Sequence, residues 1–398
     1  MYKDVFPCSG FKSFGSFLVA ALVAGFASGN PMPRASGSFE LKQTANPNFS
    51  SRNGPQALAN AYKKYGKAVP DHIAVAADKN TNAKRAAGTA TANSIRGDLE
   101  YLVDVQIGAG QTLKLDFDTG SSDLWVFSTQ TEGAGFQTKY DPSRSSSAKR
   151  LSGATWEISY GDGSNCSGDV YTDDVTVGGL TVKGQAVEAA QEVSQQFAQG
   201  QSDGLLGLAF SQLNTVTPQK QKTWFDNVKP QLDSPLFVAD LKHNAPGSYI
   251  FGKIPSGAEQ ASYVDVDSSQ GFWGFSATTM YGDVQAIADT GTTLLLLDNQ
   301  SVQSYYANVQ SAEYDQQEGG FVFNCGEQLP DFPFRVGGGI ITIPGAIIKY
   351  AQGSDGRCFG GIQAAGNIPL NIFGDIALKA AYVIFDGGNN RLGWAQKN

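Results

Sequence analysis

The stretch that decides the fold is Asp116–Ser122, which reads Asp-Phe-Asp-Thr-Gly-Ser-Ser. A near-copy follows 171 residues later at Ile287–Thr293, which reads Ile-Ala-Asp-Thr-Gly-Thr-Thr. Each copy is followed by an apolar-apolar-glycine segment, Leu205–Gly207 and Ile372–Gly374, whose glycines lie 89 and 85 residues after the respective aspartates. Two such pairs at nearly equal spacing predict two related lobes, each with one Asp-Thr-Gly turn.

The chain around these turns has the pattern of short β-strands. Alternating or apolar runs such as 101–107, 112–117 and 247–252 are separated by Gly, Asp and Asn, which is typical of strands joined by tight turns. No long stretch has a 3.6-residue period, although a short helix is possible over 301–309. We therefore predict an all-β protein with minor helices.

An Asp-Thr-Gly turn at the end of an apolar strand has a chemical use when it occurs twice. Glycine allows close approach of the backbone, and threonine can hydrogen-bond across the turn. If a pseudo-twofold axis brings the lobes together, Asp118 and Asp289 face each other and cannot both ionise, so they share a proton. One carboxylate can then activate a water while the other polarises a carbonyl, and this chemistry needs no metal or cofactor.

On these motifs the sequence resembles the pepsin-like aspartic proteases, in particular the secreted fungal penicillopepsin and aspergillopepsin type, from about residue 98 to the C-terminus. The resemblance implies a bilobal pepsin-like acid protease fold, in which two β-barrel-like lobes enclose an interlobe active-site cleft. It implies an acid endopeptidase that binds peptides as extended strands, prefers large hydrophobic residues and is blocked by statine-type inhibitors.

The family pattern also implies roles for individual residues. Asp118 and Asp289 would be the catalytic pair, with Ser121 and Thr292 bonded to their outer oxygens. The supporting turn residues would be Thr119 and Thr290, which interlock beneath the aspartates, together with Gly120 and Gly291.

A flap is implied at Tyr160-Gly161-Asp162-Gly163, a sequence that without this context would be read as an ordinary hairpin turn. Tyr160 would cover the cleft, and Trp125 would bond the tyrosine hydroxyl. In acidic fungal members an aspartate at the position of Asp162 accompanies cleavage after lysine, which adds Lys at P1 to the expected specificity. A turn-stabilising role for Asp162 is the alternative.

The N-terminal region predicts export and a removable pro-segment. The apolar run 17–26 follows Lys3 and Lys12 and precedes small residues, which indicates a signal peptide over 1–29. Residues 30–85 carry a net charge of +6 and end in Lys84-Arg85, whereas residues 86–398 carry −15. We therefore predict a basic pro-segment at 30–85, an N-terminal lobe with the flap at 86–260 and a C-terminal lobe at 261–398, in a secreted, extracellular monomer without membrane or nucleic-acid partners.

The element Tyr62–Gly66 resembles the family's Lys-Tyr element, which makes Lys64 the candidate inhibitory residue. Lys64 would bind the Asp118–Asp289 pair (the dyad) until acid protonates the two carboxylates. An ordinary surface lysine is the alternative. Cys325 and Cys358 are expected to form a disulfide, as in the family. Asn48, Asn165 and Asn299 begin glycosylation sequons, and Asn299 is the best placed for use.

Other functions were weighed against this prediction. Two histidines and four cysteines in the whole chain disfavour a metal site. A Cys166–His243 nucleophile pair lacks supporting context, and a semi-buried free thiol is expected at Cys166. A two-carboxylate glycosidase would not need paired Asp-Thr-Gly turns. A non-catalytic, pepsin-fold binding or inhibitor protein is the main alternative.

Overall fold

The computed structural model describes residues 37–45, 52–86, 101–159, 165–194, 198, 202–353 and 355–397, with the backbone alone at 81–86, 101 and 159. Strands dominate, as predicted. The α-helices of the described residues are α1 Gly54–Lys64, α2 Asp71–Ala86, α3 Trp224–Val228, α4 Asn299–Tyr306, α5 Gly345–Ile348 and α6 Asp375–Leu378.

The strands fall into two chain segments. Those up to residue 251 are β1 Phe39–Lys42, β2 Thr44–Ala45, β3 Tyr101–Ile107, β4 Gln111–Asp118, β5 Leu124–Phe127, β6 Lys149–Ser159, β7 Asn165–Val177, β8 Leu180–Val193, β9 Gly204–Gly207, β10 Leu236–Lys242 and β11 Ala245–Phe251. Those that follow are β12 Ser262–Asp265, β13 Gly274–Thr279, β14 Gly282–Ala288, β15 Leu295–Leu297, β16 Glu313–Asp315, β17 Gly320–Phe323, β18 Phe332–Val336, β19 Gly339–Ile343, β20 Lys349–Gln352, β21 Cys358–Gly360, β22 Ile362–Ala364, β23 Asn371–Phe373, β24 Ala381–Asp386 and β25 Arg391–Gln396.

The strands form barrel-like sheets in two lobes. The N-terminal sheet has the order β2-β3-β4-β9-β5-β8-β7-β6, and an additional β3–β7 pairing curls it toward closure. The C-terminal lobe contains the sheet β19-β18-β13-β14-β23-β15-β22 and the smaller sheet β16-β17-β21-β20. A fourth sheet, β1-β11-β10-β24-β25-β12, takes strands from both sides of residue 260.

The internal repeat corresponds to equivalent strand pairings in the two lobes. In the first lobe β4 pairs parallel to β9, which pairs antiparallel to β5, and β5 pairs parallel to β8. In the second lobe β14, β23, β15 and β22 pair in the same order and with the same directions. Each aspartate strand is therefore bonded to the apolar-apolar-glycine segment that the sequence spacing paired with it.

Alternating burial explains why these segments form strands. Leu113, Leu115 and Phe117 of β4 are buried, whereas the residues between them are exposed or half-buried. One face of β4 thereby packs into the main hydrophobic core, and the period of two fixes its register. Cys325 and Cys358 form the disulfide that the resemblance implies.

The basic segment is more helical than the strand pattern of the body suggested. Helix α1 begins after Asn53, whose side chain accepts a hydrogen bond from Gln56 N, and Pro55 lies in its first turn. Helix α2 contains the dibasic pair Lys84-Arg85 at its C-terminal end. Strand β1 of the same segment pairs with β11.

Candidate active site

Asp118 is the last residue of β4, and its side chain is buried. Its Oδ1 accepts a hydrogen bond from Gly120 N at 2.8 Å, and its Oδ2 accepts one from the Ser121 hydroxyl at 2.6 Å. The turn that follows the strand therefore supplies both donors, so the second and third residues after the aspartate set the orientation of its carboxylate.

Asp289 follows β14 and is fully buried. Its Oδ1 accepts a hydrogen bond from Gly291 N at 3.0 Å, and its Oδ2 accepts one from the Thr292 hydroxyl at 2.5 Å. The same atoms receive the same kinds of donor as in Asp118. The repeat in the sequence thus corresponds to a repeated hydrogen-bonding pattern around two carboxylates.

Two threonines tie the turns to each other. Thr119 N donates to the Thr290 hydroxyl at 3.0 Å, and Thr290 N donates to the Thr119 hydroxyl at 2.9 Å. Each hydroxyl also donates to a strand carbonyl across the interface, at Ala288 and Phe117 respectively. These reciprocal bonds fix the separation of the two turns.

The glycines of the motif are required by close approach between the turns. A Cβ added at Gly120 would collide with the Asp289 carboxylate, and one added at Gly291 would collide with Asp118. Each aspartate therefore lies against the backbone of the opposite turn, and any side chain at either glycine would separate the pair.

Lys64 of α1 lies directly on the two carboxylates. Its Nζ is 2.7 Å from Oδ1 of Asp118 and 2.9 Å from both oxygens of Asp289. One nitrogen within 3 Å of both Oδ1 atoms means that these two atoms face a common point. In this structure, Lys64 of the basic segment 30–85 therefore covers the Asp118–Asp289 pair.

Tyr65 also contacts the dyad, and the sequence analysis assigned it no role. Its hydroxyl donates to Oδ2 of Asp289 at 2.6 Å, and its ring packs on Phe272. The signal was present, because Tyr65 follows Lys64 in the recognised element. A second contact with one aspartate only makes the two carboxylates inequivalent.

The charges around the dyad shift its pKa values in opposite directions. Burial raises the pKa of Asp118; the charge of Lys64 opposes this, and that of Asp289 adds to it. Burial also favours the neutral form of Asp289, but the Lys64 charge and the hydrogen bonds to the carboxylate together outweigh it. Donors from Thr292 and Tyr65 help to lower the Asp289 pKa to about 2. Burial would lower the pKa of Lys64, but both carboxylates raise it, so the lysine stays charged.

The flap residues Tyr160, Gly161 and Asp162 lie outside the described residues. The strands on either side, β6 and β7, are paired antiparallel as far as Ser159 and Asn165. Trp125 is buried and stacks on Trp156, with ring centroids 6.2 Å apart.

The cysteine alternative is unfavourable in this structure. Cys166 is completely buried, and burial raises its thiol pKa, which removes the reactive thiolate. Sequence analysis expected a semi-buried thiol, and the structure corrects that, because β6, β7 and β8 enclose the side chain. Among the described residues, no three His, Cys, Asp or Glu side chains are grouped to hold a metal ion.

A buried pair of aspartates on equivalent, interlocked turns of two β-lobes is the arrangement of an aspartic peptidase. Comparisons with known proteins agree. A model of the family described as eukaryotic aspartyl protease matches residues 100–397. The chain belongs to this family and is an aspartic endopeptidase.

The relatives match nearly the whole chain. Endothiapepsin from Cryphonectria parasitica is 48% identical over 412 residues, which cover 96% of this chain and 98% of that protein. Aspergillopepsin-1 from Aspergillus oryzae is 48% identical over 394 residues, covering 95% and 98% respectively. Penicillopepsin-1 from Penicillium rubens is 51% identical over 356 residues, covering 86% and 87%.

A solved structure supports the fold. The crystal structure of an aspartic proteinase from Irpex lacteus matches with a TM-score of 0.63 and 24% sequence identity, covering 75% of this chain and 94% of that one. No helix among the described residues has the length and apolar character needed to cross a bilayer.

Proposed function

We propose that Asp118 and Asp289 are the catalytic pair of a secreted acid endopeptidase and that residues 30–85 are its inhibitory pro-segment. The observation that carries the proposal is the contact of Lys64 Nζ with both Oδ1 atoms. A group held at that point is placed to use both carboxylates at once. In the zymogen it is the lysine, and in the mature enzyme it would be the attacking water.

The reaction follows from one shared proton. The ionised carboxylate takes a proton from the water as its oxygen attacks the peptide carbonyl, while the protonated carboxyl donates to the carbonyl oxygen. The tetrahedral adduct then loses the amine, which takes a proton from the dyad as the C–N bond breaks. The Ser121 and Thr292 hydroxyls keep both carboxylates oriented through the exchange.

The substrate proposed is an extended peptide with large hydrophobic residues beside the scissile bond. The antiparallel pair β6 and β7 supports a hairpin flap over 160–164, which would close on the peptide and exclude water. Trp125, buried at the base of these strands, is proposed to anchor Tyr160.

Cleavage after lysine is proposed to depend on Asp162. A carboxylate at the flap tip would pair with the lysine ammonium, which an apolar subsite alone disfavours. We expect Asp162→Ala to lose cleavage of a Lys-Leu peptide while keeping that of a Phe-Leu peptide. An unchanged ratio of the two kcat/KM values would show that Asp162 has no such role.

The pro-segment proposal rests on charge and contact. Residues 30–85 carry a net charge of +6, whereas residues 86–398 carry −15. Lys64 and Tyr65 bind the aspartate dyad. At neutral pH the ammonium is paired with ionised carboxylates, and this pairing is lost as acid protonates them. Acid is therefore the expected trigger for release.

Export and glycosylation extend the same proposal. Residues 1–29, the proposed signal peptide, lie outside the described residues, as does Asn48. Asn299 is exposed at the start of α4, whereas Asn165 lies half-buried in β7, which favours Asn299 as the modified site.

The test of the catalytic assignment is substitution of each aspartate by asparagine. Each full-length variant is acidified with a trace of immobilised wild-type enzyme, which is removed once mass spectrometry shows loss of the pro-segment. We expect kcat on a peptide to fall about a thousandfold or more for Asp118→Asn and Asp289→Asn. The matched control is Asp283→Asn, an exposed position of β14. Retained activity in either dyad variant would refute the assignment.

A further inference from the structure

A second pair of buried carboxyl groups lies in the N-terminal lobe, next to the loop that carries Asp118. Asp123 precedes β5 and Glu188 lies in the middle of β8, and both are buried. The parallel pairing of β5 with β8 sets Trp125 opposite Glu188. This pairing brings Asp123 close to Glu188, although the two residues are 65 positions apart in sequence. The catalytic scheme uses neither carboxyl group.

Asn214 holds the two groups together. Its Nδ2 is 2.9 Å from Oδ1 of Asp123 and 2.9 Å from Oε1 of Glu188. Its own Oδ1 accepts hydrogen bonds from the backbone N–H groups of Val216 and Gln221. This fixes the amide orientation, because a flipped amide would set its oxygen against two carboxylates.

The remaining bonds of the cluster show where a proton is needed. Asp123 Oδ1 also accepts bonds from the backbone and hydroxyl of Thr215. Glu188 Oε2 is buried without a hydrogen-bond donor among the described residues. The two carboxyl groups lie within hydrogen-bonding reach of each other. Such a bond can form only if one of them is protonated.

The surroundings supply little compensation for two negative charges. Glu188 lies on the same face of β8 as Ala186 and Ala190, which belong to an apolar cluster with Trp125 and Trp156. Among the described residues, the buried Cys166 thiol also faces Glu188. Asp123 faces the Lys220 charge, but that side chain is exposed.

The cluster is mechanically connected to the catalytic turn. The Asp123 carbonyl accepts a hydrogen bond from Gly207 N at 2.9 Å, and Asn214 Nδ2 reaches the Ser122 carbonyl at 3.3 Å. Loop 118–123, strand β9 and loop 211–217 are therefore fastened at one point. Disruption there would displace the turn that orients Asp118.

We propose that Asp123 and Glu188 share one proton as a second, non-catalytic carboxyl pair that positions the Asp118 turn and sets the upper pH limit of the enzyme. The pair binds no substrate and acts only through the loop. Once the shared proton is lost, two uncompensated charges repel each other inside an apolar cluster, and the N-terminal lobe opens.

The pKa shifts of Glu188 and Asp123 have the direction that this proposal requires. Burial raises the pKa of Glu188, and the nearby Asp123 charge adds to this; burial likewise raises the pKa of Asp123. Groups with pKa values raised by folding stabilise the fold at acid pH, and that contribution is lost as the pH rises through the raised values. The pair therefore stabilises the fold in acid and destabilises it as the pH rises.

The test is Glu188→Gln, which offers Asp123 an amide donor that needs no shared proton. Activated enzyme is incubated across pH 5–9 and returned to acid. The remaining activity is compared with each variant's own starting value, and the tryptophan fluorescence, to which the buried Trp125 and Trp156 contribute, is followed in parallel. We expect the midpoint of inactivation to rise by about one pH unit or more. Glu192→Gln, exposed on the same strand, should leave it unchanged.

Asp123→Asn provides a second, independent variant, because its amide can donate to Glu188 while its oxygen keeps the bonds from Thr215. It too should raise the midpoint. Since fluorescence reports lobe opening without reference to catalysis, failure of this proposal is distinguishable from failure of the dyad assignment. Midpoints equal to wild type in both variants, or lowered ones, would overturn the proposal.

Discussion

At the scale of single residues, the contacts of the proposed pro-segment make two sequence-equivalent aspartates inequivalent. Both receive a backbone donor and a hydroxyl donor from their own turn. Only Asp289 also receives the Tyr65 hydroxyl. The family resemblance implied the hydroxyl donors Ser121 and Thr292, and the backbone donors lie in the same two motifs. The repeat could not predict the Tyr65 contact, because Tyr65 comes from a segment outside the repeat.

The extra donor has a consequence for acid activation. The Asp289 pKa is lowered to about 2, below its usual value near 4. A lowered carboxyl pKa gives stability that is complete above the usual value and is lost as the pH falls toward about 2. Under the proposed function, Tyr65 therefore helps to hold the pro-segment on the aspartates in mild acid.

We expect Tyr65→Phe to move the midpoint of the proposed zymogen activation upward by roughly 1–2 pH units, the size of one lost hydrogen bond to a charged group. Pro-segment release is measured by mass spectrometry after fixed times at each pH. Tyr62→Phe is the control, because that hydroxyl faces Gly366. A midpoint unchanged or shifted to lower pH would contradict the role given to Tyr65.

At the scale of elements, helix α2 forms a second contact between the proposed pro-segment and the C-terminal lobe. Glu318 is buried beneath it, accepting a hydrogen bond from Asn80 at 3.1 Å and lying 3.4 Å from Lys79 Nζ. Ile73 and Ala76 of the same helix pack against Gly319. This contact lies apart from the dyad and adds to the hold of Lys64.

We expect Asn80→Ala to speed pro-segment release about tenfold at a given acid pH, because the buried Glu318 carboxylate loses a donor. The substitution lies in the segment proposed to be removed, so the mature enzyme would be unchanged. Val75→Ala, exposed on the same helix, is the control. A release rate equal to that of Val75→Ala would mean that the contact of α2 with Glu318 does not help to hold the proposed pro-segment in place.

The elements differ in how far the sequence predicts them. Strand β4 could be predicted because Leu113, Leu115 and Phe117 alternate with more polar residues. Helix α2 was not predicted, because the segment was interpreted from its charge alone. The spacing of Ile73, Ala76 and Ala77 is nevertheless helical. The Asp123–Glu188 pair could not be predicted, since only the pairing of β5 with β8 brings it together.

At the scale of the whole molecule, the sheet β1-β11-β10-β24-β25-β12 joins the beginning, middle and end of the chain. Strand β1 of the proposed pro-segment is an edge strand of this sheet, so the segment is held by main-chain pairing as well as at the dyad. The electrostatic attraction between this basic segment and the acidic residues 86–398 weakens as carboxylates are protonated. Release in acid is therefore expected to involve the entire segment.

The most direct test of the central claim is the rate at which the full-length secreted protein cleaves denatured haemoglobin from pH 2 to 8, with and without a statine-type transition-state analogue. The account predicts that cleavage is confined to acid, follows loss of the pro-segment, and is abolished by the analogue and by Asp118→Asn. Cleavage that persists in Asp118→Asn, or absence of cleavage at every pH after residues 1–85 have been removed, would contradict it.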